Sequence, residues 1–256
     1  FFFTDTATTE SYTLSLHDSL PISARLLDRL DLINRPFAAV LDLGAGTGGL
    51  ARALAARWPT AAIVAAEPSR RSLRRAPALR VAADPELIPF RDAGFDLIAS
   101  CLMLHWCADL PGTLVQLRRA LQPDGLLLAA MFGGNTLVEL RTALFEAELA
   151  EEGGVSPRVS PTVEIGDAAS LLQRAGFAMP VCDSETITVT YPDILALMRD
   201  LRGMGETNAL AARRPSLRRA TLARAQAIYA ERFANPDGRL RATFDVSGNA
   251  DTMLLP

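Results

Sequence analysis

The sequence predicts an α/β protein built on a doubly wound, mostly parallel sheet, and three observations carry that expectation. A short apolar strand over 38–43 runs into a glycine-rich turn and then a helix. Apolar strands alternate with helices as far as residue 132, the pattern that builds parallel, right-handed sheets. Three successive strands end on acids, Asp42, Glu67 and Asp84. Sheets of this kind bind ligands beyond the carboxyl ends of their strands, where all three acids fall.

The turn is Asp42-Leu43-Gly44-Ala45-Gly46-Thr47-Gly48-Gly49. Glycine at 44, 46 and 48 lets the backbone turn sharply and approach a ligand closely. The helix that follows presents free N–H groups and a positive dipole end. Gly44, Gly46 and Gly49 also satisfy G-x-G-x-x-G, which dinucleotide enzymes share. Asp42 separates the two readings. Its carboxylate would repel a pyrophosphate and attract the ammonium of bound S-adenosylmethionine (SAM).

In chain order, Ser23 is expected to cap a short helix whose Leu26, Leu27, Leu30 and Ile33 share one face, ended by Pro36. The helix over 48–58 stops at Trp58-Pro59. A second buried strand, 61–66, ends at Glu67-Pro68. Glu67 lies 23 residues after Gly44, near the spacing at which an acid reaches a ribose diol. Its two oxygens can accept from both hydroxyls. Arg70, Arg71, Arg74 and Arg75 form a basic helical patch. A strand over 79–82 leads to Asp84-Pro85, where a carboxylate can accept from an adenine amino group. The fourth strand is 95–100, followed by a helix over 114–121, a turn at Gln122-Pro123-Asp124-Gly125 and the fifth strand, 126–132.

Beyond it, Leu137, Leu140, Leu144 and Leu149 mark an amphipathic helix. A Gly/Ser/Pro loop at 152–161 and a helix over 166–175, ended by Gly176, come next. Asp193 caps a helix carrying Ile194, Leu197, Met198 and Leu201, and the glycine-rich turn at 203–208 has the makings of a hinge. In the last strand Ala242, Phe244 and Val246 share one face, and Ser247-Gly248-Asn249 reads as turn chemistry.

The 256 residues, 49% hydrophobic, suit one domain with a sizeable core. Cys101, Cys107 and Cys182 show no CxxC spacing and read as buried, reduced thiols of a cytosol-like compartment. No apolar run reaches membrane-spanning length, which leaves only peripheral membrane contact. Residues 1–22 stand apart, with no Met and no Arg but much Ser and Thr. They resemble translated sequencing-adapter read-through and are expected to be a non-native or disordered extension. Without Asp5, Glu10 and Asp18 the formal charge of −3 becomes neutral, so no electrostatic field points to nucleic acid.

Taken together, these residues resemble the class I SAM-dependent methyltransferases. Asp42 to Gly48 matches the family's first motif, Glu67 its ribose acid and Ala83-Asp84 its adenine contact. Phe95 to Ser100, followed by Leu102-Met103-Leu104-His105-Trp106, matches its fourth-strand motif. The resemblance implies a Rossmann-like, seven-stranded sheet with an antiparallel last strand, and SAM as cofactor. It extends the cofactor-binding set to Asp42, Gly44, Ala45, Gly46, Gly48, Glu67, Pro68, Asp84, Pro85 and Cys101. Residues 130–141, 152–161 and 200–209 are similar to a narrower subgroup with two known functions. One is an assembly factor of respiratory complex I, a protein arginine hydroxylase that is mitochondrial or alphaproteobacterial. The other is the biotin-pathway methyltransferase that esterifies malonyl carrier protein. Gly133-Gly134 and Gly203-Met204-Gly205 favour the assembly-factor branch.

The resemblance covers roughly residues 23–246, with 134–185 and 192–235 expected as helical insertions on the substrate side. The aberrant ending 247–256 looks like a frameshift or truncation. A protein acceptor or an acyl carrier protein is the implied partner. The implied compartment is the bacterial cytoplasm, or the mitochondrial matrix in a eukaryote. An assembly chaperone that keeps a SAM pocket for stability is the non-enzyme alternative.

Methyl transfer from a sulfonium asks little of the protein beyond alignment and exclusion of water. The catalytic residues therefore stay open, with His105 as the candidate and packing as the competing reading. Non-haem iron wants two histidines and a carboxylate, and outside residues 1–22 His105 is the only histidine. No metal site is expected. The exposed arginines at 70–75 and Arg213, Arg214, Arg218 and Arg219 are the surfaces that would suit an acidic carrier protein.

Overall fold

Strands of a parallel sheet covered on both faces must be apolar throughout, and 38–43, 61–66 and 126–132 are close to that. In the computed structural model, which describes residues 11–12, 20–77, 79–159, 162, 165–207 and 216–252, they become strands. In chain order the elements are α1 (Leu20–Asp28), β1 (Ala39–Leu43), α2 (Gly49–Arg57), β2 (Ala62–Ala66), α3 (Arg70–Leu73), β3 (Leu79–Val81), β4 (Phe95–Cys101), α4 (Leu110–Ala120), β5 (Leu121–Phe132), α5 (Val138–Glu152), α6 (Ile165–Arg174), β6 (Pro180–Tyr191), α7 (Ile194–Met204), α8 (Arg219–Phe233) and β7 (Leu240–Thr252). The described residues fall into two compact units. One takes its residues from 19–132, 163–184 and 247–256, the other from 1–18, 133–162 and 185–246. The first insertion expected, 134–185, is thus divided between them.

The first unit holds the parallel strands in the order β5-β4-β1-β2-β3. Asp42 stands opposite Ala65 on β2 and Ala99 on β4. Leu41, Leu43, Ile98, Leu127 and Ala129 form one core with Leu110, Leu114 and Leu117 of α4 and with Ala168 and Leu172 of α6. The alternate residues Val40, Leu97, Leu126 and Leu128 are fully buried as well, so these strands are covered on both faces. α1 contacts α2, β4 and β5. The entry to β1 is fixed by the Asp96 carboxylate, which accepts from the Ala38 N–H at 2.7 Å and the Ala39 N–H at 3.1 Å.

Several expectations shift within this unit. α1 starts at Leu20, so Ser23 is a buried residue inside the helix rather than its cap, and Ile22 is only 3% exposed. The expected boundary between 22 and 23 therefore falls within a helix. α4 begins at Leu110, with the Asp109 side chain accepting from the Gly112 N–H; that cap initiates a helix across Pro111 and Gly112. The turn at 122–125 lies inside β5. There Phe95 pairs with Leu121 but Leu97 with Leu126, so the extra residues bulge out, with Asp124 at φ 61°. Cys101, Cys107 and Cys182, expected to be buried, are each partly exposed.

In the second unit α5 packs on α8, burying Ala143, Leu144 and Ala147 with Ala225, Ile228 and Tyr229. Leu140 and Leu144 are inward as expected, but Leu149 is 55% exposed. The apolar face of α5 therefore stops one turn short of the expected length. Residues 133–139 are tied to the last strand. The Gly133 N–H donates to the Asp245 carbonyl and the Leu137 N–H to the Thr243 carbonyl, both at 2.7 Å. The buried Glu139 carboxylate accepts from the Thr243 N–H at 3.1 Å and from its hydroxyl. Glu148, fully buried, accepts from the Ser156 N–H and from Arg158, fixing the loop after α5. Asp193 caps α7 through the Ala196 N–H, and Gly205 ends it at φ +88°. β6 lies beside β7 and pairs in parallel with the two-residue strand Ser11–Tyr12.

β7 itself corrects the reading of the C-terminus. It continues to Thr252, so Ser247-Gly248-Asn249 is strand and not turn. Strand pairing is a tertiary term that outweighs the weak β-propensity of these residues. Arg213, Arg214, Asn208, Ser160, Pro161 and most of residues 1–22 lie outside the described residues.

Candidate cofactor site

The site belongs to the first unit and is built by the turn from β1 to α2. Gly44, Gly46 and Gly48 have φ of +79°, +52° and +83°, the left-handed region that glycine enters without a Cβ penalty. Their surroundings differ. A Cβ on Gly44 would meet Met103 Cβ at 2.4 Å, and one on Gly48 would meet the Ala76 backbone at 2.6 Å. A Cβ on Gly46 would meet nothing within 4 Å. Two glycines therefore serve packing, while Gly46 opens onto empty space where a ligand can approach the backbone. Ala45, between them, is buried.

β2 adds Glu67. Its Oε2 accepts from the Gly46 N–H and its Oε1 from the Ser69 N–H, both at 2.9 Å. The acid thus fixes the tip of the glycine turn. Each of its oxygens keeps a further lone pair for a ligand hydroxyl. The turn is also held by the Gly44 and Ala45 N–H groups, which donate to the Ala66 carbonyl at 2.8 and 3.1 Å.

Asp42 is 1% exposed, and neither of its carboxylate oxygens has a hydrogen-bond partner of ordinary geometry. Burial pushes its carboxyl up from 3.8 to about 7; the nearby Ala51 N–H opposes the shift and the Glu67 charge adds to it. Cys101, at the end of β4, is pushed up to about 12 by burial and by the Asp42 charge. A buried polar group without a partner is unfavourable. Two such oxygens beside an open glycine turn are the arrangement a cationic ligand would complete.

The remaining residues are placed less centrally. Asp84 is exposed, and its Oδ1 accepts from the Glu86 N–H at 2.9 Å, closing a local turn over the buried Pro85. Pro68 is exposed beside Glu67. His105 is packed: its ring centroid lies 5.6 Å from Trp106 and 5.2 Å from Phe132. Sequence reasoning missed Ala76 and Pro77, which crowd Gly48, and Ser69, whose N–H holds Glu67; Met103 entered only within the fourth-strand motif and not as the side chain that crowds Gly44. Of these only Ser69 had a legible signal, as the cap of α3 through the Ser72 N–H. Among the described residues no three His, Cys, Asp or Glu side chains converge as metal ligands. No helix among them is long and apolar enough to cross a membrane.

The methyltransferase domain family matches residues 41–129, from β1 to β5. The mitochondrial arginine hydroxylase NDUFAF5 of Danio rerio is 41% identical over 230 residues, covering 88% of this chain and 71% of its own. The chain belongs to the class I SAM-dependent methyltransferases. Within that family it falls in the subgroup of its curated relatives. These include the malonyl-[acyl-carrier protein] O-methyltransferase of Xylella fastidiosa, 37% identical over 88% of this chain and 77% of that one. Among solved structures, the YcgJ protein of Bacillus subtilis overlays 90% of this chain and 98% of its own with a TM-score of 0.60 at 16% identity. The fold is accordingly Rossmann-like, a mostly parallel sheet of seven principal strands with an antiparallel last strand, to which the two-residue strand Ser11–Tyr12 adds an eighth. SAM is the cofactor of this family, and the partnerless Asp42 oxygens, the open Gly46 and the Glu67 lone pairs fit it.

Proposed function

We propose that the chain is a SAM-dependent enzyme acting on a protein acceptor in the assembly of respiratory complex I. The observation that carries the chemistry is the pair of buried, partnerless Asp42 oxygens beside the open turn at Gly46. In this reading Asp42 faces the cationic amino-acid end of the cofactor, and the turn from Gly44 to Gly48 lets the backbone close on it. Glu67 accepts from the ribose hydroxyls while holding Gly46 and Ser69. Asp84 turns its second oxygen to the adenine amino group. Ala45, Pro68, Pro85 and Cys101 line the remaining walls. When bound, SAM supplies an activated methyl group, and the protein has only to align an acceptor and exclude water.

The similarity to the arginine hydroxylases and the two glycine motifs at 133–134 and 203–205 support the assembly branch. Its compartment would be a bacterial cytoplasm or the mitochondrial matrix. A second reading, methyl-ester formation on a malonyl carrier protein, is supported by the 37% identity to the Xylella enzyme. A carboxylate acceptor needs no general base, which suits a site whose histidine is packed between aromatic rings. Mass spectrometry of candidate acceptors incubated with SAM separates the readings. A methyl gain on the complex I acceptor supports the first, and a methyl ester on malonyl carrier protein supports the second. A gain of one oxygen on the complex I acceptor would instead mark the hydroxylase activity named for the relatives. No gain of either kind on either acceptor, from folded protein that binds SAM, leaves the assembly-chaperone alternative.

A further inference from the structure

We propose that this chain couples cofactor binding to a proton, Asp42 releasing one to solvent as the sulfonium cofactor enters and recovering it as the site empties. The inference rests on the site reading above and adds a charge state to it. Its basis is geometric. Asp42 lies mid-sheet, flanked by Ala65 and Ala99, with both oxygens buried and no partner of ordinary geometry. The groups facing it from each neighbouring element are known. β2 brings the Glu67 carboxylate, β4 the Cys101 thiol, and α2 only the Ala51 backbone N–H. None is a cation.

With the site empty, an ionised Asp42 would therefore be a buried charge beside a second carboxylate, and burial keeps about half of the Asp42 carboxyls protonated at pH 7. A cofactor carrying sulfonium and ammonium charges reverses that balance. The Asp42 O–H bond breaks, the proton passes to the buffer, and the carboxylate stays to face the positive ligand. Only the protonation state changes, and no other reactant is required. The consequence is that the protein binds SAM more weakly as the surroundings acidify.

The test is isothermal titration calorimetry of SAM into the full chain at pH 7, in phosphate and in Tris, whose ionisation enthalpies differ widely. With the Asp42 carboxyl at about 7, the heats should differ by the equivalent of about half a proton released per SAM bound. At pH 9 Asp42 is already ionised and the α-amino group of free SAM has largely lost its proton, so the difference should reverse sign as the bound ammonium takes one up. Affinity should be about fivefold weaker at pH 6 than at pH 7. Glu67→Gln should bind more weakly yet keep the buffer dependence, which places the proton on Asp42 and not on Glu67. Equilibrium dialysis with labelled SAM establishes binding independently of heat. Saturable binding with equal heats in both buffers at pH 7 would overturn the coupling alone, as would loss of the buffer dependence in Glu67→Gln. Absence of any saturable binding to folded protein would overturn the cofactor-site reading along with it.

Discussion

Asp42→Asn should stabilise the cofactor-free protein, and by an amount that depends on pH. The folded-state carboxyl is raised from 3.8 to about 7, roughly three units at about 1.4 kcal/mol each, or about 4 kcal/mol. The sign follows from proton linkage. Between those two values the folded protein keeps a proton that the unfolded chain has released, so stability falls as pH rises through that window. Above about 7 the penalty is full, and below 3.8 both states are protonated and it disappears. Asparagine is neutral throughout and nearly the same shape. Its urea midpoint should therefore exceed that of the wild type at pH 8 by an amount equivalent to about 4 kcal/mol. The two proteins should converge near pH 4. An engineered gain at the expense of a binding group is a known pattern for active sites. Equal midpoints at every pH, or a less stable variant at pH 8, would refute the account of an uncompensated carboxylate.

Other outcomes follow from the same site. Gly48→Ala forces a Cβ to within 2.6 Å of the Ala76 backbone at φ +83°, and chemical denaturation should show a loss of about 2–5 kcal/mol. Gly46→Ala meets no atom within 4 Å, so its stability should fall by only about 1–2 kcal/mol, while dialysis should show SAM binding reduced at least tenfold. Glu67→Gln should weaken SAM binding by about 1–3 kcal/mol, since a charge-assisted bond is lost; unchanged affinity would mean that Glu67 does not hold the ribose. Deleting residues 1–22 should cost about 1.5–3 kcal/mol more than deleting 1–18, because it removes Ile22, which is 3% exposed. Identical midpoints for the two deletions would restore the boundary after Ile22.

The cofactor half of the molecule was legible because its signals are local. Asp42 is the next-to-last residue of β1, the three glycines and Glu67 follow apolar strands at fixed offsets, and a parallel sheet brings all strand ends to one edge. Local signals also place β1, α2 and β2 within a residue of where they lie. What escaped depends on partners distant in sequence. Gly44 and Gly48 look alike in sequence, yet one is crowded by Met103 and the other by Ala76, and neither neighbour can be read from the turn. Leu149 continues the helical period of α5 but has no partner to bury it. Gln122 to Gly125 carry turn chemistry, and β5 absorbs them as a bulge because the residues on either side pair with β4. Ser247 to Asn249 follow the same logic in β7. The two roles of Glu67, holding its own loop as well as facing a ligand, required the 2.9 Å contacts to Gly46 and Ser69.

The central claim is that Asp42, the glycine turn and Glu67 form one cofactor site. A crystal structure of the full chain with S-adenosylhomocysteine, the demethylated form of the cofactor, tests it most directly. The account predicts ribose hydroxyls within hydrogen-bonding distance of Glu67, with its bonds to the Gly46 and Ser69 N–H groups retained. It also predicts the amino-acid end of the ligand on the Asp42 side of the turn, against Gly46. A ligand bound elsewhere, with both Asp42 oxygens still partnerless, would contradict it.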